Sequence, residues 1–246
     1  MVYYDGRHYD RRTQSITRDI PFWEKQAQRY GDPILEIGCG TGRIAIPLAR
    51  AGFCLTGIDT APSMLQTGKW KAGAEGVRLT WVEADCRNFD LDREFNLVIY
   101  PACAMSNLLT RIDLESCFAC LRKHMNQESR LIIDVHNPNL DILLRNPNKR
   151  YPRANYDDPD GKGTITMTET SSYNAASQIN EVRFYYRMPD GSEVTEKLPL
   201  RMFYPQELEA LLKYNGFGVE QKYGDYDESP FESGSPMQIV VCRLQA

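Results

Sequence analysis

The sequence predicts an α/β fold in which helices flank a mostly parallel sheet of seven strands. Three observations support this class. Short apolar runs alternate with segments of helical apolar spacing through the first half of the chain, a glycine-rich turn follows the first run, and two more strand-like runs stand near the end. With 246 residues, the chain is long enough for one such domain and a modest insertion.

We therefore expect a single domain over residues 1–246 with four parts. Residues 1–31 would form an N-terminal lid, and residues 32–150 a core that binds a cofactor. Residues 151–203 would form an antiparallel β insertion over the active site, and residues 204–246 would complete the core.

Charge and hydropathy narrow the classes of partner. The formal net charge is −4 and lysines and arginines form no long cluster, so nucleic acid is a poor partner. The N-terminus lacks the apolar core of a secretory signal, and no apolar run could span a bilayer. We expect a cytoplasmic protein without a membrane partner. The odd number of cysteines, seven, fits reduced thiols better than disulfides.

The glycine-rich turn indicates the kind of ligand. Gly38, Gly40 and Gly42 follow the first apolar run and precede a helical pattern. Glycines let the backbone turn sharply there and let a ligand approach the free amides of a new helix. Such a turn binds a nucleotide-like molecule. Arg43 stands where a dinucleotide fingerprint has its last glycine, which disfavours a hydride-transfer cofactor.

An acid stands at the end of the second apolar run. Asp59 lies seventeen residues beyond Gly42. A carboxylate at this strand end can accept hydrogen bonds from both hydroxyls of a ribose. The turn and the acid together predict a nucleoside-binding site.

The run from Glu36 to Gly42 resembles motif I of the class I S-adenosylmethionine-dependent methyltransferases. Other positions of that family follow in order over about 33–135 and again from about 204. The resemblance implies a Rossmann-like fold, S-adenosyl-L-methionine as donor, S-adenosyl-L-homocysteine as product, and direct in-line displacement without a metal. The lid and the β insertion resemble in layout the amino-sugar N-methyltransferases and similar small-molecule enzymes.

The resemblance also implies which residues bind the donor. They are Glu36, Gly38, Cys39, Gly40, Gly42, Arg43, Asp59, Thr60, Met64, Asp85, Cys86, Arg87, Tyr100 and Pro101. By resemblance to motif II, Asp85 would accept from the adenine amino group and the Cys86 amide would meet a ring nitrogen. Two alternatives stay open. Asp85 would be an acid of the loop after the third strand without a role in binding, and Met64 would only pack in the hydrophobic core.

The lid contributes aromatic residues on the acceptor side. Pro21 at its start and Gly31 at its end predict a helix over Ile20–Tyr30. In many small-molecule methyltransferases a comparable leading segment carries a Tyr-Asp pair and folds over the donor. By this resemblance Tyr9 is the expected catalytic and substrate-binding residue, with Tyr4 as a second candidate. The alternative is that these aromatics only pin a terminal segment to the surface.

His136 directly follows the fifth apolar run, on the rim where open α/β sheets bind ligands. If the acceptor is a hydroxyl, His136 is the expected base, because an unperturbed histidine titrates near working pH. An amine needs only to arrive neutral, and then His136, Tyr9 and Tyr100 would orient it. The alternative for His136 is a strand-end histidine without a catalytic role.

Three β-rich segments between residues 163 and 200 predict a three-stranded antiparallel sheet after the fifth core strand. An insertion at this point falls over the donor pocket, where it would cover the substrate, form a homodimer surface, or do both. The alternative is a sheet that only shields a face of the core. Tyr173 and Tyr185 are the expected substrate-binding residues of the insertion.

We therefore predict methyl transfer to a small-molecule acceptor, with an amine favoured over a hydroxyl. One alternative is an O-methyltransferase that uses His136 as base. Two others are a module that binds the donor without turnover and an oxidoreductase with a nucleotide cofactor.

Overall fold

The computed structural model describes residues 1–245 and arranges them around two β-sheets. Sheet A comprises β1 (Ile34–Ile37), β2 (Leu55–Asp59), β3 (Thr80–Glu83), β4 (Leu97–Tyr100), β5 (Arg130–His136), β10 (Phe217–Tyr223) and β11 (Met237–Leu244). Sheet B comprises β6 (Tyr151–Asp157), β7 (Thr164–Asn174), β8 (Ile179–Arg187) and β9 (Glu193–Arg201).

The strand order of sheet A is β10-β11-β5-β4-β1-β2-β3. The first five strands are parallel, and β11 runs antiparallel to both β5 and β10. The order changes direction between β1 and β4, and α/β sheets bind ligands in the crevice beyond the carboxyl ends of such strands. The prediction of a seven-stranded, mostly parallel sheet flanked by helices is confirmed.

Two layers of helices cover sheet A. The helices are α1 (Gly6–Thr13), α2 (Ile20–Tyr30), α3 (Ala45–Arg50), α4 (Pro62–Ala74), α5 (Arg111–Lys123), α6 (Leu140–Leu143), α7 (Pro205–Tyr214) and a one-turn 3₁₀ helix (Ala104–Asn107). Buried residues of α2 and α3 pack on one face of the sheet, and those of α5 and α7 pack on the other. The predicted bounds of α2 are confirmed, and the helix ends at Gly31, whose φ is +74°.

Alternation along the strands decides which side chains face the N-terminal helices. Ile34 and Ile132 belong to the buried cluster that contains α2 and α3. Because side chains two residues apart share a face, Glu36, Asp134 and His136 lie on that same side of the sheet. The chain thus places two acids and a histidine beneath its N-terminal segment.

Sheet B has four strands where the sequence predicted three. The additional strand, β6, pairs antiparallel with β7, with a register shift between Pro152 and Ala154. The prediction missed it because prolines and arginines dominate residues 145–153, a composition typical of a break. Proline is tolerated on an edge strand with such an irregularity, and β6 lies at the edge of sheet B.

The short helix α1 was not predicted, because its sequence is polar. The helix α1 begins after Asp5, whose carboxylate accepts from the amides of Arg7, at 2.9 Å, and His8, at 3.4 Å. Nothing in its sequence shows a wide apolar face, and its contacts come from α4 and from sheet B. Within residues 1–245, none of the helices combines the length and the apolar character that crossing a bilayer requires.

Candidate functional site

The glycine turn after β1 has the conformation that its glycines predict. Gly38, Gly40 and Gly42 have φ values of +71°, +53° and +78°. A β carbon on Gly42 would lie 2.6 Å from Cη2 of Trp81, so a side chain would be strained and crowded there. The glycines therefore serve both the backbone conformation and the packing of the turn.

Several amides of the turn donate to backbone carbonyls of β2 or of the turn itself. The amides of Gly38 and Cys39 both donate to the carbonyl of Ile58, at 2.9 and 3.0 Å, and the amide of Gly42 donates to the Cys39 carbonyl at 2.8 Å. The Cys39 side chain is buried, and its sulfur lies so close to Gly57 that a β carbon there would be 2.7 Å away. Cys39 thus shapes the turn, and its thiol does not face a ligand.

Asp59 connects the turn to the helix that follows it. One carboxylate oxygen accepts from the amide of Gly40 and the other from the amide of Ala61, each at 2.8 Å. Burial raises its pKa, and these two backbone bonds oppose that rise. Because each carboxylate oxygen has a second lone pair, the predicted role in holding ribose hydroxyls is compatible with both bonds. Thr60 is exposed beside it.

Glu36 supplies the strongest sign of a cationic ligand. Its side chain is only 2 % exposed, and its Oε2 atom has no hydrogen-bond partner within residues 1–245. Burial raises its pKa to about 8, although the nearby Arg43 lowers it. With this pKa the side chain is mainly a neutral carboxyl group at neutral pH, and a ligand that brings positive charge would favour its ionised form, so the site suits such a ligand. S-Adenosylmethionine carries a sulfonium and an ammonium group, and the residues present fit it.

The side chain of Arg43 binds the N-terminal segment. Its guanidinium forms two hydrogen bonds of 2.7 Å with the carboxylate of Asp19 and one of 3.2 Å with the carbonyl of Ile16. Asp19 is almost fully buried, and Arg43 is its ion-pair partner. The guanidinium of Arg43 is thus engaged with the N-terminal segment, and a contact between Arg43 and the donor stays a prediction.

Two of the residues predicted to bind the donor, Asp85 and Arg87, are bonded to other side chains of the protein. Asp85 forms an ion pair with Arg87 at 2.6 Å, and Arg87 also bonds to Asp113 at 2.7 Å. The pKa of Asp85 is lowered mainly by Arg87. The carboxylate is therefore engaged beside the position at which an adenine amino group was predicted. Met64 is buried, and its Cε would lie 3.1 Å from a β carbon on Gly40.

Tyr100 and Pro101 mark the exit of β4. The ring of Tyr100 is 3 % exposed and lies in the core cluster on the α5 side of sheet A, with its hydroxyl 3.4 Å from the sulfur of Cys86. Burial raises its pKa well above the usual value. This placement corrects the prediction that Tyr100 orients the acceptor, because the buried ring has no surface to offer. Pro101 is buried and begins the exit loop.

The N-terminal segment is docked against the glycine turn. Asp10 accepts from the hydroxyl of Thr41 at 2.6 Å and from the ammonium of Lys71 at 2.9 Å. Tyr9, the residue before it, is half-buried. Burial and then the charge of Asp59 raise the pKa of Tyr4. The segment is thus attached to the glycine turn and to α4, and its role as a lid over the donor stays a prediction.

The same segment also contacts sheet B. The amides of Val2 and Tyr3 donate to the carboxylate of Glu196 at 2.6 and 2.8 Å, and the Tyr3 ring stacks on Phe184 with centroids 5.6 Å apart. Arg12 donates to the Tyr186 hydroxyl at 3.4 Å. Residues 2–12 therefore lie between the two sheets and link them.

The two tyrosines predicted from the insertion have different positions. Tyr173 lies on the strand face that contains Ile165, and its hydroxyl is 3.2 Å from that of Tyr204. Tyr185 lies on the opposite face from its buried neighbours on β8, beneath the guanidinium of Arg150, which is 3.6 Å from the ring centroid. The ring of Tyr185 thus points away from the face that meets the N-terminal segment, and its role in substrate binding stays a prediction.

His136 is the last residue of β5, and its ring reaches solvent. The surrounding protein nevertheless desolvates it, and this effect, followed by the charges of Arg153 and Arg18, lowers its pKa. Its position at the carboxyl end of β5 is on the predicted rim of the sheet. Its side chain makes no hydrogen bond within the part of the chain that the structure describes.

Four functional candidates were absent from the predicted site. Asp10 and Asp19 hold the N-terminal segment, and Asp134 and Tyr226 hold the loop after β4. One signal was available, since Asp134 is an acid inside an otherwise apolar strand, where an unpaired charge is rare. The contacts of the other three join residues far apart in sequence, and of these only Asp10 belongs to a local pattern, the Tyr-Asp pair of the leading segment.

Comparison with known proteins finds similar sequences. Residues 34–128 match the family model of a methyltransferase domain. The proposed methyltransferase YqeM of Bacillus subtilis (strain 168) is 26 % identical over 223 residues, which are 90 % of this chain and 84 % of that protein. A Geobacillus relative, also described as a proposed methyltransferase, is 29 % identical over 47 % of this chain, a match that spans about half, 48 %, of its own length.

Solved structures share the fold over nearly the whole chain. The CcbJ methyltransferase from Streptomyces caelestis superposes with a TM-score of 0.82 at 22 % identity, covering 93 % of this chain and 90 % of that one. The sugar N-methyltransferase KedS8 from Streptoalloteichus superposes with a TM-score of 0.72 at 17 % identity, covering 97 % and 91 %. At these identities the likeness establishes the shared fold.

Proposed function

We propose that the chain methylates an amine nitrogen of a small molecule with S-adenosylmethionine as the methyl donor, since residues 34–128 match the family model of a methyltransferase domain. The donor, when bound, supplies an activated methyl group on a positively charged sulfur. The residues of the chain then have to hold the donor, orient the acceptor nitrogen in line with the methyl group, and exclude water.

The environment of His136 carries the preference for an amine. Desolvation, Arg153 and Arg18 all lower its pKa, which makes it a weaker base. It also lacks, within residues 1–245, a hydrogen-bond partner of the kind that orients a catalytic imidazole. The two arginines are themselves paired, with Glu169 and Asp225 at 3.4 Å each, so their effect on the ring is moderate.

The tyrosines near the site offer no alternative base. Burial raises the pKa of Tyr3 and of Tyr156 to about 12 and raises that of Tyr4 as well. A phenol with a raised pKa stays protonated at neutral pH and can donate a hydrogen bond but not accept a proton. A hydroxyl acceptor would need a base, whereas an amine needs only its lone pair.

The positive charges suit a neutral amine. Arg18 and Arg153 disfavour a second cation near His136, so they lower the pKa of an amine that binds there. A neutral amine has the free lone pair that attack on the methyl group requires. We assign the orientation of the acceptor to His136, Tyr9, Tyr4 and Tyr173, and we assign the cover over it to sheet B.

The structural likeness to a sugar N-methyltransferase makes amino sugars the first acceptor class to test. The experiment incubates the protein with S-adenosylmethionine and matched pairs of acceptors that differ only in an amino or a hydroxyl group. Formation of S-adenosylhomocysteine with the amino member of a pair is the expected result. Turnover of the hydroxyl members alone would favour the O-methyltransferase. Tight donor binding without any turnover would favour a binding module, and binding of NADH instead would favour an oxidoreductase.

Replacing His136 with asparagine separates the two acceptor classes further. If His136 only orients an amine, we expect kcat to fall less than about tenfold, whereas removal of a general base costs about 10²–10⁴-fold. Steady-state kinetics with the best acceptor measure the effect. Calorimetry with S-adenosylmethionine serves as the control, since donor affinity should not change. A fall in kcat of a hundredfold or more at unchanged donor affinity would contradict the orienting role.

A further inference from the structure

The loop that leaves β4 contains two strained residues. Ala102 and Cys103 have φ values of +59° and +56°, in the left-handed region that side chains with a β carbon disfavour. Each such residue carries backbone strain. Two in succession persist only where the surrounding structure holds them, so the loop must have a specific anchor.

Asp134 is that anchor. Its side chain is fully buried, its Oδ2 atom accepts from the amide of Ala102 at 3.1 Å, and its Oδ1 atom accepts from the amide of Cys103 at 2.6 Å. The hydroxyl of Tyr226 donates to Oδ2 at 2.6 Å. We call these four residues the Asp134 clamp. A carboxylate presents two acceptor oxygens to the two successive amides. An asparagine has only one acceptor oxygen, and its NH2 group would face the N–H of the other amide.

The anchored loop lies between the donor turn and sheet B. The 3₁₀ helix that begins at Ala104 continues directly from Cys103. A β carbon on Gly38 would lie 3.1 Å from that of Ala104, so the loop packs on the glycine turn. The 3₁₀ helix also contacts β9 and β5. The clamp therefore fixes the segment that borders both the donor side and the acceptor cover.

We propose that Asp134 is a positioning residue that holds the exit loop of β4 where the methyl group of the donor meets the acceptor. The proposal rests on the methyl-transfer function proposed above. It assigns no contact between Asp134 and either reactant. The carboxylate acts through the two amides, and Tyr226 supports the carboxylate from the segment between β10 and β11.

The groups around the clamp define how it should respond to pH. Burial raises the pKa of Asp134 to about 6, the hydrogen bonds from Tyr226, Cys103 and Ala102 lower it, and the charge of Asp19 raises it. The thiol of Cys103 is neutral because burial raises its pKa. Arg18 lies 5.5 Å from the ring centroid of Tyr226. When pH falls through about 6, Asp134 takes up a proton, one oxygen stops accepting, and the loop loses an anchor.

Three variants test the clamp. Asp134→Asn should lower kcat about tenfold or more, because a small misplacement of a reacting group is costly, while the dissociation constant for S-adenosylmethionine changes less than about threefold. The variant should also lack the fall in kcat below pH 6 that we expect of the unmodified protein. Tyr226→Phe should move that fall to higher pH, since the lost hydroxyl had lowered the pKa of Asp134. Tyr223→Phe, which removes a hydroxyl bonded to Gln221 and Arg29 instead, is the matched control and should leave the pH profile unchanged.

The outcomes that contradict the clamp are specific. If the fall in kcat at low pH stays at the same pH in Tyr226→Phe, then another group, such as His136, causes it. This result overturns the proposal. A parallel loss of donor affinity and kcat in Asp134→Asn would indicate a merely structural role and also overturns it. Hydrogen exchange over residues 100–107 is independent of the acceptor. Faster exchange in Asp134→Asn together with no turnover of any acceptor would leave the clamp supported and would reject the proposed function, whereas unchanged exchange would reject the clamp.

Discussion

Replacing Asp59 with alanine should lower the affinity for S-adenosylmethionine about a hundredfold or more. The carboxylate is the expected acceptor for the ribose hydroxyls, and it also holds the amides of Gly40 and Ala61. A hydrogen bond to a charged group contributes about 1.5–3 kcal/mol, and every 1.4 kcal/mol is a factor of about ten in affinity. Loss of a ligand bond and loosening of the turn therefore add in the same direction.

Isothermal calorimetry on the full chain measures this loss. Asp59→Asn keeps one acceptor oxygen and the shape of the side chain, so its affinity should fall between those of the unmodified protein and Asp59→Ala. Asp85→Ala is the matched control among the predicted donor carboxylates. Because Arg87 already engages Asp85, we expect a loss of less than about tenfold from one exposed, charge-assisted contact. Unchanged donor affinity in Asp59→Ala would contradict the donor site as a whole.

Replacing Gly42 with alanine should lower the free energy of unfolding by about 3 kcal/mol, the sum of left-handed strain and overpacking. The added β carbon would lie 2.6 Å from Trp81 Cη2 and 2.9 Å from Ile46 Cγ1, at a φ of +78°. The turn would have to shift, and we expect donor affinity to fall as well. Urea denaturation and donor calorimetry measure the two effects.

Gly52 offers a matched control for Gly42. Its φ is +99°, yet a β carbon there would meet nothing within 4 Å. Gly52→Ala therefore reports backbone strain alone, about 1–2 kcal/mol, without crowding and without a change in donor binding. If the two substitutions destabilise the protein equally, the side chains of Trp81 and Ile46 make room for the added β carbon without a loss of stability. That result would contradict the packing role of Gly42.

The elements that follow from local patterns were predictable. The strand, glycine turn and helix around Gly38–Gly42 follow from apolar runs and turn chemistry, and α2 follows from Pro21 and Gly31. The position of Asp59 at the end of β2 follows in the same way. In each case residues adjacent in sequence determine the structure, and a pattern a few residues long contains that information.

The direction of individual side chains was less predictable. Tyr100 ends a buried strand, and its register directs the ring to the α5 side of the sheet, away from an acceptor. Tyr185 similarly lies one residue out of register with the buried face of β8. Because successive side chains of a strand alternate, a site residue can be assigned to the right strand end and still face the wrong side.

Partners distant in sequence were not predictable at all. The bonds between Asp10 and Thr41, Arg43 and Asp19, and Asp134 and Tyr226 each join separate segments. Arg43 shows the effect on a site prediction, since its neighbours in sequence suggested the donor whereas its partner in space is the N-terminal segment.

The attachment of residues 2–12 has a consequence for the kinetics of turnover. The segment is held largely by single hydrogen bonds and partly exposed ion pairs, such as the one between Arg7 and Asp160, and an exposed pair contributes at most about 1 kcal/mol. Releasing them costs far less than separating the strands beneath. We therefore expect this short strap to open more readily than the strand framework, which would allow spent donor to be exchanged for fresh donor.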